Sequence, residues 1–284
     1  MINVSQLHFK YGNKRIYDDF SLQLSKPGVV GMFGRNGSGK STLLKILSGL
    51  LFPTGGNVEV LGHRPARRLP RFLEQVYIVP EEFHLPNIKL SSLQTNHAPF
   101  YPRFSAADFS RYIDIFEIPR NQTFDTMSLG QKKKSVIAFA LATHTPILLM
   151  DEPTNGLDIM GRAQFKTVMA GPEHADRLVI ISTHQAHDLE SLMSHVLFVD
   201  AGRIALSADT ATLQKALRIG VSEHPPASSM YREALGEKWA FVEANPDAVS
   251  GHINLELLYK ALSTNKQQVL DAVRKAHNAQ EETA

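Results

Sequence analysis

The residues with the clearest chemical meaning form the glycine-rich segment Gly34-Arg35-Asn36-Gly37-Ser38-Gly39-Lys40-Ser41. It follows the apolar run GVVGMF and leads into the helical pattern STLLKILSGL, so it matches the phosphate-loop pattern GxxxxGK[ST] in its strand–loop–helix setting. Glycines let backbone N–H groups wrap around a phosphate, and the helix dipole favours negative charge there. Lys40 can supply a charge to the β- and γ-phosphates, and the Ser41 hydroxyl can ligate Mg²⁺. The sequence therefore predicts a nucleoside triphosphate site.

A pair of adjacent carboxylates, Asp151 and Glu152, follows the apolar run Ile147–Met150. Asp151 is placed at the strand tip to hold Mg²⁺ through water, and Glu152 is placed to polarise an attacking water. Two acids that leave a buried strand are costly unless a cation or a reacting water meets them. The pair therefore predicts hydrolysis of the bound nucleotide, the alternative being an exposed strand end with incidental acids.

A second candidate anion site is the segment Ser128-Leu129-Gly130-Gln131, which opens the helical pattern KKKSVIAFALA. Ser128 can cap this helix. Its hydroxyl and the N–H of Gly130 would face outward with the helix dipole behind them. This site is far in sequence from Lys40.

Taken together, these motifs resemble the ATP-binding cassette (ABC) family, in order and spacing, along Ile2–Leu217. The resemblance implies an ATPase that binds ATP and Mg²⁺. The matching segments are Walker A at Gly34–Thr42, the signature at Met127–Gln131, Walker B at Ile147–Glu152, the D-loop at Asn155–Asp158 and the switch histidine at Ile181–His184.

The same resemblance implies roles for individual residues. Glu152 and His184 would be catalytic, with His184 in contact with the γ-phosphate. The residues implied to contact nucleotide are Tyr11, Gly34, Asn36, Gly37, Gly39, Lys40, Ser41, Thr42, Glu81, Ser128, Gly130, Gln131 and Asp158, and those implied to bind Mg²⁺ are Ser41, Glu81 and Asp151. Tyr11 would stack on adenine. The alternative is that Tyr11 packs in the core and that Phe9 or Tyr17 takes its place.

Two positions depart from the family pattern. Leu129 replaces the usual glycine of the signature, but it lies between the contact residues, so we expect nucleotide contact to survive. Glu81 follows Pro80 where the family commonly has Gln. Glu81 either stays ionised against Mg²⁺ or points toward a membrane partner, and the sequence leaves both open.

The elements that must position these residues alternate between apolar runs and helical patterns, which predicts an α/β fold with a mainly parallel sheet. The predicted core strands are Gly28–Phe33, Val76–Val79, Ile147–Met150, Leu178–Ser182 and Val196–Val199. Alternation at Ile16–Leu24 predicts an antiparallel, half-exposed strand, with another at Asn57–Leu61. The predicted class is thus a P-loop NTPase core with an N-terminal antiparallel β subdomain.

The chain also divides into predicted domains. Residues 86–127 read as a helical insertion leading into the signature helix, with Phe109, Ile113 and Phe116 on one helix face. Residues 1–217 form the predicted nucleotide-binding domain. Residues 218–284 form a small C-terminal extension that ends in an amphipathic helix near Val269–Ala276.

The expected partners follow from the resemblance and from composition. The family implies a homodimer, or a dimer with a related ATPase subunit, in which the signature of one subunit covers the γ-phosphate on the other. It also implies a separate transmembrane permease and a peripheral location on the cytoplasmic face of the cell membrane.

With 30 basic and 28 acidic residues, the chain offers no electrostatic case for a nucleic-acid partner. No apolar run approaches the roughly 18 residues that cross a bilayer. The absence of cysteine excludes disulfides and thiolate sites and fits a reducing compartment.

The leading interpretation is the ATP-hydrolysing subunit of an ABC transporter. Residues Gln131–Lys134 and Ile253–Leu258 look most like the drug-exporter-like branch. The alternative is a soluble ABC ATPase that acts on nucleic acid or ribosomes. The DNA-repair type would need a long coiled coil within residues 41–127, and the translation type usually carries two cassettes. A small-molecule kinase would have no reason for the signature.

The basic run His63–Arg71 could attract anionic lipid, but it lacks an apolar face and is better interpreted as a solvated linker.

Overall fold

The structure is a computed structural model that describes residues 1–184, 189–224, 226–245, 247 and 251–281. The chain forms two compact units. The first comprises residues 1–184 and 199–204, and the second comprises residues 185–198 and 205–284. The predicted boundary after residue 217 rests on a change of sequence pattern and stays a prediction.

The strands and helices are bounded as follows. The strands are β1 Ile2–Tyr11, β2 Lys14–Leu24, β3 Gly28–Phe33, β4 Gly55–Val60, β5 Val76–Val79, β6 Ile147–Asp151, β7 Leu178–Ser182, β8 His195–Asp200, β9 Arg203–Asp209, β10 Leu217–Ser222, β11 Tyr231–Leu235 and β12 Lys238–Ala244. The helices are α1 Lys40–Leu47, α2 Pro70–Leu73, α3 Leu90–His97, α4 Ala106–Ile115, α5 Leu129–Ala142, α6 Ile159–Met169, α7 Thr210–Ala216, α8 Leu255–Thr264 and α9 Lys266–Glu281. Short 3₁₀ turns lie at Pro65–Arg67, Ala98–Phe100, Phe124–Thr126, Pro172–His174 and Glu190–Leu192.

The core of the first unit is a parallel sheet in which β5, β6, β7 and β3 are neighbours in that order. All three pairings are parallel, and β6 and β7 are buried along their whole length. Strands covered on both faces read as continuous apolar runs, which is why these four were predictable. Because parallel strands end at the same edge, the segments after β3, β5, β6 and β7 emerge side by side. The α/β class with a mainly parallel sheet is confirmed.

The N-terminal sheet of the same unit is antiparallel, in the order β2-β1-β4. Strand β2 alternates exposed and buried residues from Asp19 to Leu24, as a sheet with one solvated face requires. The prediction included β2 and β4 but missed β1. The reason is visible in its pairing with β2, which is interrupted by register shifts between Val4 and Lys10, so the alternation in β1 is broken.

The predicted helical insertion contains α3, α4 and two 3₁₀ turns, and no strand lies between residues 86 and 127 in this fully described stretch. Ser105 caps α4 by accepting a hydrogen bond from the N–H of Asp108 at 3.1 Å. The buried face of α4 includes Phe109 and Ile113. Phe139 of α5 lies at the centre of an aromatic cluster and contacts Phe109 at 5.9 Å between ring centroids. This cluster anchors the insertion to the helix that begins at the signature.

The second unit contains a three-stranded antiparallel sheet in the order β10-β12-β11, together with α8 and α9. Asn254 caps α8 by accepting from the N–H of Leu257 at 2.9 Å, and Tyr259 stacks on Phe198 at 5.7 Å. The predicted amphipathic helix near Val269–Ala276 lies within α9. The sheet of this unit was not predicted. Among the described residues, no helix is long and apolar enough to span a membrane.

Candidate functional site

The phosphate loop lies between β3 and α1, as predicted from its sequence setting. Gly39 has φ +110°, a conformation that an L side chain rarely adopts, and a Cβ there would lie 2.5 Å from the Tyr17 hydroxyl. That hydroxyl donates to the carbonyl of Gly39 at 2.7 Å. A Cβ on Gly34 would lie 2.1 Å from the Val199 carbonyl. Both glycines are therefore required by close approach of neighbouring groups. Buried Tyr17 supports the loop and is not available to stack on a purine.

The cation of the loop is held inside it. Lys40 is buried, and its Nζ donates to the carbonyl of Gly34 at 2.8 Å. Burial lowers the pKa of Lys40, an effect opposed by the charges of Glu152, Asp151 and Glu81. The Ser38 hydroxyl is buried and has no hydrogen-bond partner among the described residues. A buried hydroxyl that lacks a partner, beside a buried ammonium, fits a loop built to receive anionic oxygens.

The carboxylates at the end of β6 make different contacts. Asp151 is buried and accepts a hydrogen bond from the Ser182 hydroxyl of β7. Glu152 is also buried, and its Oε1 lies 2.9 Å from Nδ1 of His184, the residue two positions after β7. Glu152 has φ +47°, in the left-handed region that is uncommon for residues other than glycine. The geometry thus joins the two predicted catalytic residues in one pair.

Glu81 lies two positions after the end of β5. Its Oε1 accepts a hydrogen bond from the Asn155 side chain at 3.0 Å. Both residues line the same cleft as Lys40 and Glu152. Of the two orientations that the sequence left open, the structure therefore has Glu81 facing the cleft. Asn155 was within the predicted D-loop segment but was not singled out as a site residue.

The cleft has a volume of about 490 Å³. Its lining residues are Tyr11, Lys14, Ile16, Asn36, Gly37, Gly39, Lys40, Ser41, Thr42, Glu81, Glu152, Asn155 and His184. Tyr11 is 46% exposed and packs edge-on against Phe9, with 4.9 Å between ring centroids and 86° between ring planes. Lys14 and Ile16 were not predicted, because they precede the phosphate loop and carry no motif. Ser41 and Asp151 offer oxygen donors of the kind that Mg²⁺ prefers.

The signature residues lie outside this cleft. Ser128 accepts from the N–H of Gln131 at 3.2 Å, and the Gln131 side chain accepts from the N–H of Ser128 at 2.9 Å, which completes a capping box at the start of α5. A Cβ on Gly130 would lie 3.6 Å from the carbonyl of Gly156. The signature therefore adjoins the D-loop segment.

Leu129 of the signature and Asp158 of the D-loop segment also lie outside the cleft. Leu129 is 68% exposed. Asp158 caps α6 by accepting from the N–H of Gly161 at 2.7 Å. Ser128, Gly130 and Gln131 share the start of α5, and neither they nor Asp158 line the cleft that contains the phosphate loop of the same chain.

A second buried lysine, Lys133, lies close to the cleft and belongs to α5, the helix that begins at the signature. Lys133 has an exposed fraction of 4%, and its Nζ donates to the main-chain carbonyls of Glu152 at 2.7 Å and Asn155 at 3.0 Å. Burial lowers its pKa, and the charges of Glu81, Glu152 and Asp151 oppose the shift. Nothing in the sequence distinguished Lys133 from its neighbours Lys132 and Lys134.

Comparison with known proteins agrees with this geometry. The sequence model of the family described as "ABC transporter" matches residues 17–155. SrtF of Streptococcus pyogenes, a lantibiotic transport ATP-binding protein, is 27% identical over 215 residues, which cover 74% of this chain and 91% of SrtF. YtrB of Bacillus subtilis (strain 168), an ABC transporter ATP-binding protein, is 24% identical over 217 residues, which cover 76% of this chain and 74% of YtrB.

The fold agrees as well. A solved dimeric ATP-binding cassette, in a post-hydrolysis state with ADP and Pi, has a TM-score of 0.63 at 21% identity and covers 74% of this chain and 98% of that one. The sequence motifs and the relatives indicate the same family, and the architecture shows the corresponding fold. Residues 17–155 are thus similar to the ATP-binding domains of ABC transporters, and the chain is an ATPase that uses ATP with Mg²⁺.

Proposed function

We propose that this chain is the ATP-hydrolysing subunit of an ABC transporter and that it drives a separate transmembrane permease from the cytoplasmic face of the cell membrane. The observation that carries the proposal is the joint placement of Lys40, Glu152 and His184 on one cleft. Relatives with transport names favour this function over action on nucleic acid or ribosomes.

Each residue of the cleft has a distinct role in the proposal. Lys40 and the N–H groups of the loop bind the phosphates, since they present positive charge and donors to one point. Glu152 accepts the proton of the attacking water. His184, hydrogen-bonded to Glu152, contacts the γ-phosphate and orients that carboxylate. Ser41, Asp151 and Glu81 would hold Mg²⁺, which when bound would neutralise negative charge on the phosphate oxygens.

The composite site is the second element of the proposal. Ser128 and Gly130 form an anion-binding helix start that lies outside the cleft of their own chain. In a twofold dimer each subunit presents the same surface to the other, so Lys40 of one chain can face Ser128 of the partner. We propose a homodimer with two such sites. The solved neighbour is itself a dimer, which supports this arrangement.

A groove on the first unit is the proposed docking surface for the permease. It has a volume of about 820 Å³, and its lining includes Leu50, Tyr77, Phe100, Tyr101 and Arg68. Phe100 is 71% exposed and Leu50 is 48% exposed. Large exposed apolar side chains grouped around a groove are typical of protein interaction sites. The occupant would be an apolar segment of the permease.

The catalytic assignment is tested with Glu152→Gln and Lys40→Ala. Glu152→Gln keeps the side-chain shape and removes the base, so ATP should still bind and drive dimerisation while hydrolysis falls at least about 100-fold. Lys40→Ala should weaken triphosphate binding itself. Glu82→Gln is the matched control, because Glu82 is exposed and does not line the cleft. A Glu152→Gln protein that hydrolyses ATP at the wild-type rate would refute the general-base role.

The shared site is tested by mixing two inactive variants, Lys40→Ala and Ser128→Arg. Each homodimer has a defect in every site. In a mixed dimer one site carries both defects and the other carries none. Equal amounts pair at random to make half of the dimers mixed, so roughly a quarter of the wild-type sites should return. Hydrolysis and ATP-dependent dimerisation are measured together. Full activity of Ser128→Arg alone, or no recovery of either signal on mixing folded proteins, contradicts the composite site.

A further inference from the structure

We propose that Lys133 is a positioning residue for hydrolysis, which clamps the backbone turn that carries Glu152 and thereby ties the signature helix to the catalytic carboxylate of the same chain. The inference rests on the proposed role of Glu152 in the preceding subsection. It concerns a residue that makes no contact with nucleotide in that proposal.

The burial of Lys133 requires an explanation. Lysine is among the residues least often fully buried, because its ammonium loses its hydration unless strong partners replace water. Here the exposed fraction is 4%, and the ammonium donates to two main-chain carbonyls, those of Glu152 and Asn155. Hydrogen bonds from a charged donor are about twice as strong as those between neutral groups. These two hydrogen bonds therefore hold the Lys133 ammonium at this turn.

The turn that Lys133 holds, residues 152–155, has an unusual backbone conformation. Glu152 adopts φ +47°, and the N–H of Asn155 donates to the carbonyl of Glu152 at 3.2 Å. A left-handed conformation outside glycine persists only where the surroundings determine it. The Lys133 ammonium contacts the carbonyls at both ends of the turn, so it opposes rotation of either peptide group.

The clamp also bears on the two side chains that project from the turn. The Glu152 carboxylate meets His184, and the Asn155 amide donates to Glu81. A shift of the turn would change the position of both side chains relative to the cleft. Lys133 lies in α5, five positions after the capping residue Ser128. Any displacement of the signature end of α5 is therefore transmitted to the backbone that carries the catalytic carboxylate.

The test compares Lys133→Met, which keeps the length of the side chain and removes the donor, with Lys133→Gln, which keeps an N–H donor without the charge. Lys134→Met is the matched control on the same helix, since Lys134 donates to the Gln164 side chain and does not touch the turn. We expect Lys133→Met to lower kcat at least about tenfold, with ATP affinity and KM within about twofold of wild type. Lys133→Gln should recover part of the loss, and Lys134→Met should stay within twofold.

A double-variant cycle separates positioning from a purely structural role. Because Lys133 acts through Glu152, adding Lys133→Met to Glu152→Gln should lower the residual hydrolysis no further, whereas independent effects would multiply. Thermal unfolding measures how much of each variant is folded at the assay temperature. If Lys133→Met does not fold, the Lys133→Gln protein is used in the same cycle.

Three outcomes overturn the inference: kcat of folded Lys133→Met within twofold of wild type, a loss fully explained by the unfolded fraction, or multiplicative losses in the cycle. Absence of hydrolysis in the wild-type protein would instead contradict the proposed function, so the two failures are distinguishable.

Discussion

Acid should destabilise the first unit through one buried histidine, His174, at the end of the 3₁₀ turn Pro172–His174. The residue is 4% exposed, and neither nitrogen of its ring makes a regular hydrogen bond with the described residues. Burial, and next the charge of Arg177, lower its pKa from 6.5 to about 4, opposed mainly by the charge of Glu173 and least by the backbone of Val168. The fold therefore holds this ring in its neutral form.

The sign and size of the effect follow from linkage. The unfolded chain binds a proton at a pKa near 6.5 and the folded chain binds it only near pH 4, so acid favours unfolding. The stability contribution is complete above about pH 6.5 and is lost as the pH falls toward about 4. A pKa difference of this size changes the free energy of unfolding by about 3 kcal/mol in full. Of this, about 2 kcal/mol is lost when the pH has fallen to 5.

The assay compares the free energy of unfolding at pH 7.5 and pH 5 for wild type, His174→Leu and His84→Leu. His84 is exposed and serves as the control. Urea unfolding is followed by circular dichroism, because the single tryptophan, Trp239, reports on the second unit. His174→Leu should lose about 2 kcal/mol less than wild type on acidification, and His84→Leu should behave as wild type does. An equal loss in wild type and His174→Leu would refute the reasoning.

Two other predictions concern the cleft and the groove. If Glu81 acts mainly as a ligand on the Mg²⁺ side, Glu81→Gln should leave the basal ATPase rate within about threefold, or about 0.7 kcal/mol, and Glu81→Ala should lower it more; complete loss in Glu81→Gln would reveal a specific role for the charge. Phe100→Asp should reduce the fraction of the chain that sediments with membranes from cells at least about threefold, with basal ATPase within twofold, because a charge in an apolar groove opposes docking. Leu235→Asp, on an exposed apolar residue of the second unit, is its control, and equal sedimentation of the two variants would remove the groove from the docking surface.

Much of the fold could be predicted because its core strands are buried on both faces. Strands β3, β6 and β7 are continuous apolar runs, and each ends within two residues of a chemically distinctive group. Parallel pairing then requires those groups to emerge at one edge. Strands β10 to β12 were not predictable, because they are short and partly exposed and their apolar residues lack a long regular period.

The contacts between distant segments could not be predicted from the sequence, for a different reason. Three consecutive lysines follow Gln131, and nothing in their types distinguishes Lys133 from the others. Helical geometry turns only one of them toward the carbonyls of Glu152 and Asn155. The left-handed backbone of Glu152 was equally hidden, because tertiary contacts and not residue preference hold it there.

The half-exposed ring of Tyr11 has a consequence for the choice of nucleobase. A ring that stacks on a purine recognises the area of its flat face, and every purine offers nearly the same face. Adenine and guanine differ at their edges, where hydrogen-bond donors and acceptors are exchanged. The phosphates that Lys40 and the loop are proposed to bind are common to both nucleotides. If Tyr11 stacks on the base, as the family resemblance implies, we therefore expect the cleft itself to discriminate only weakly between ATP and GTP.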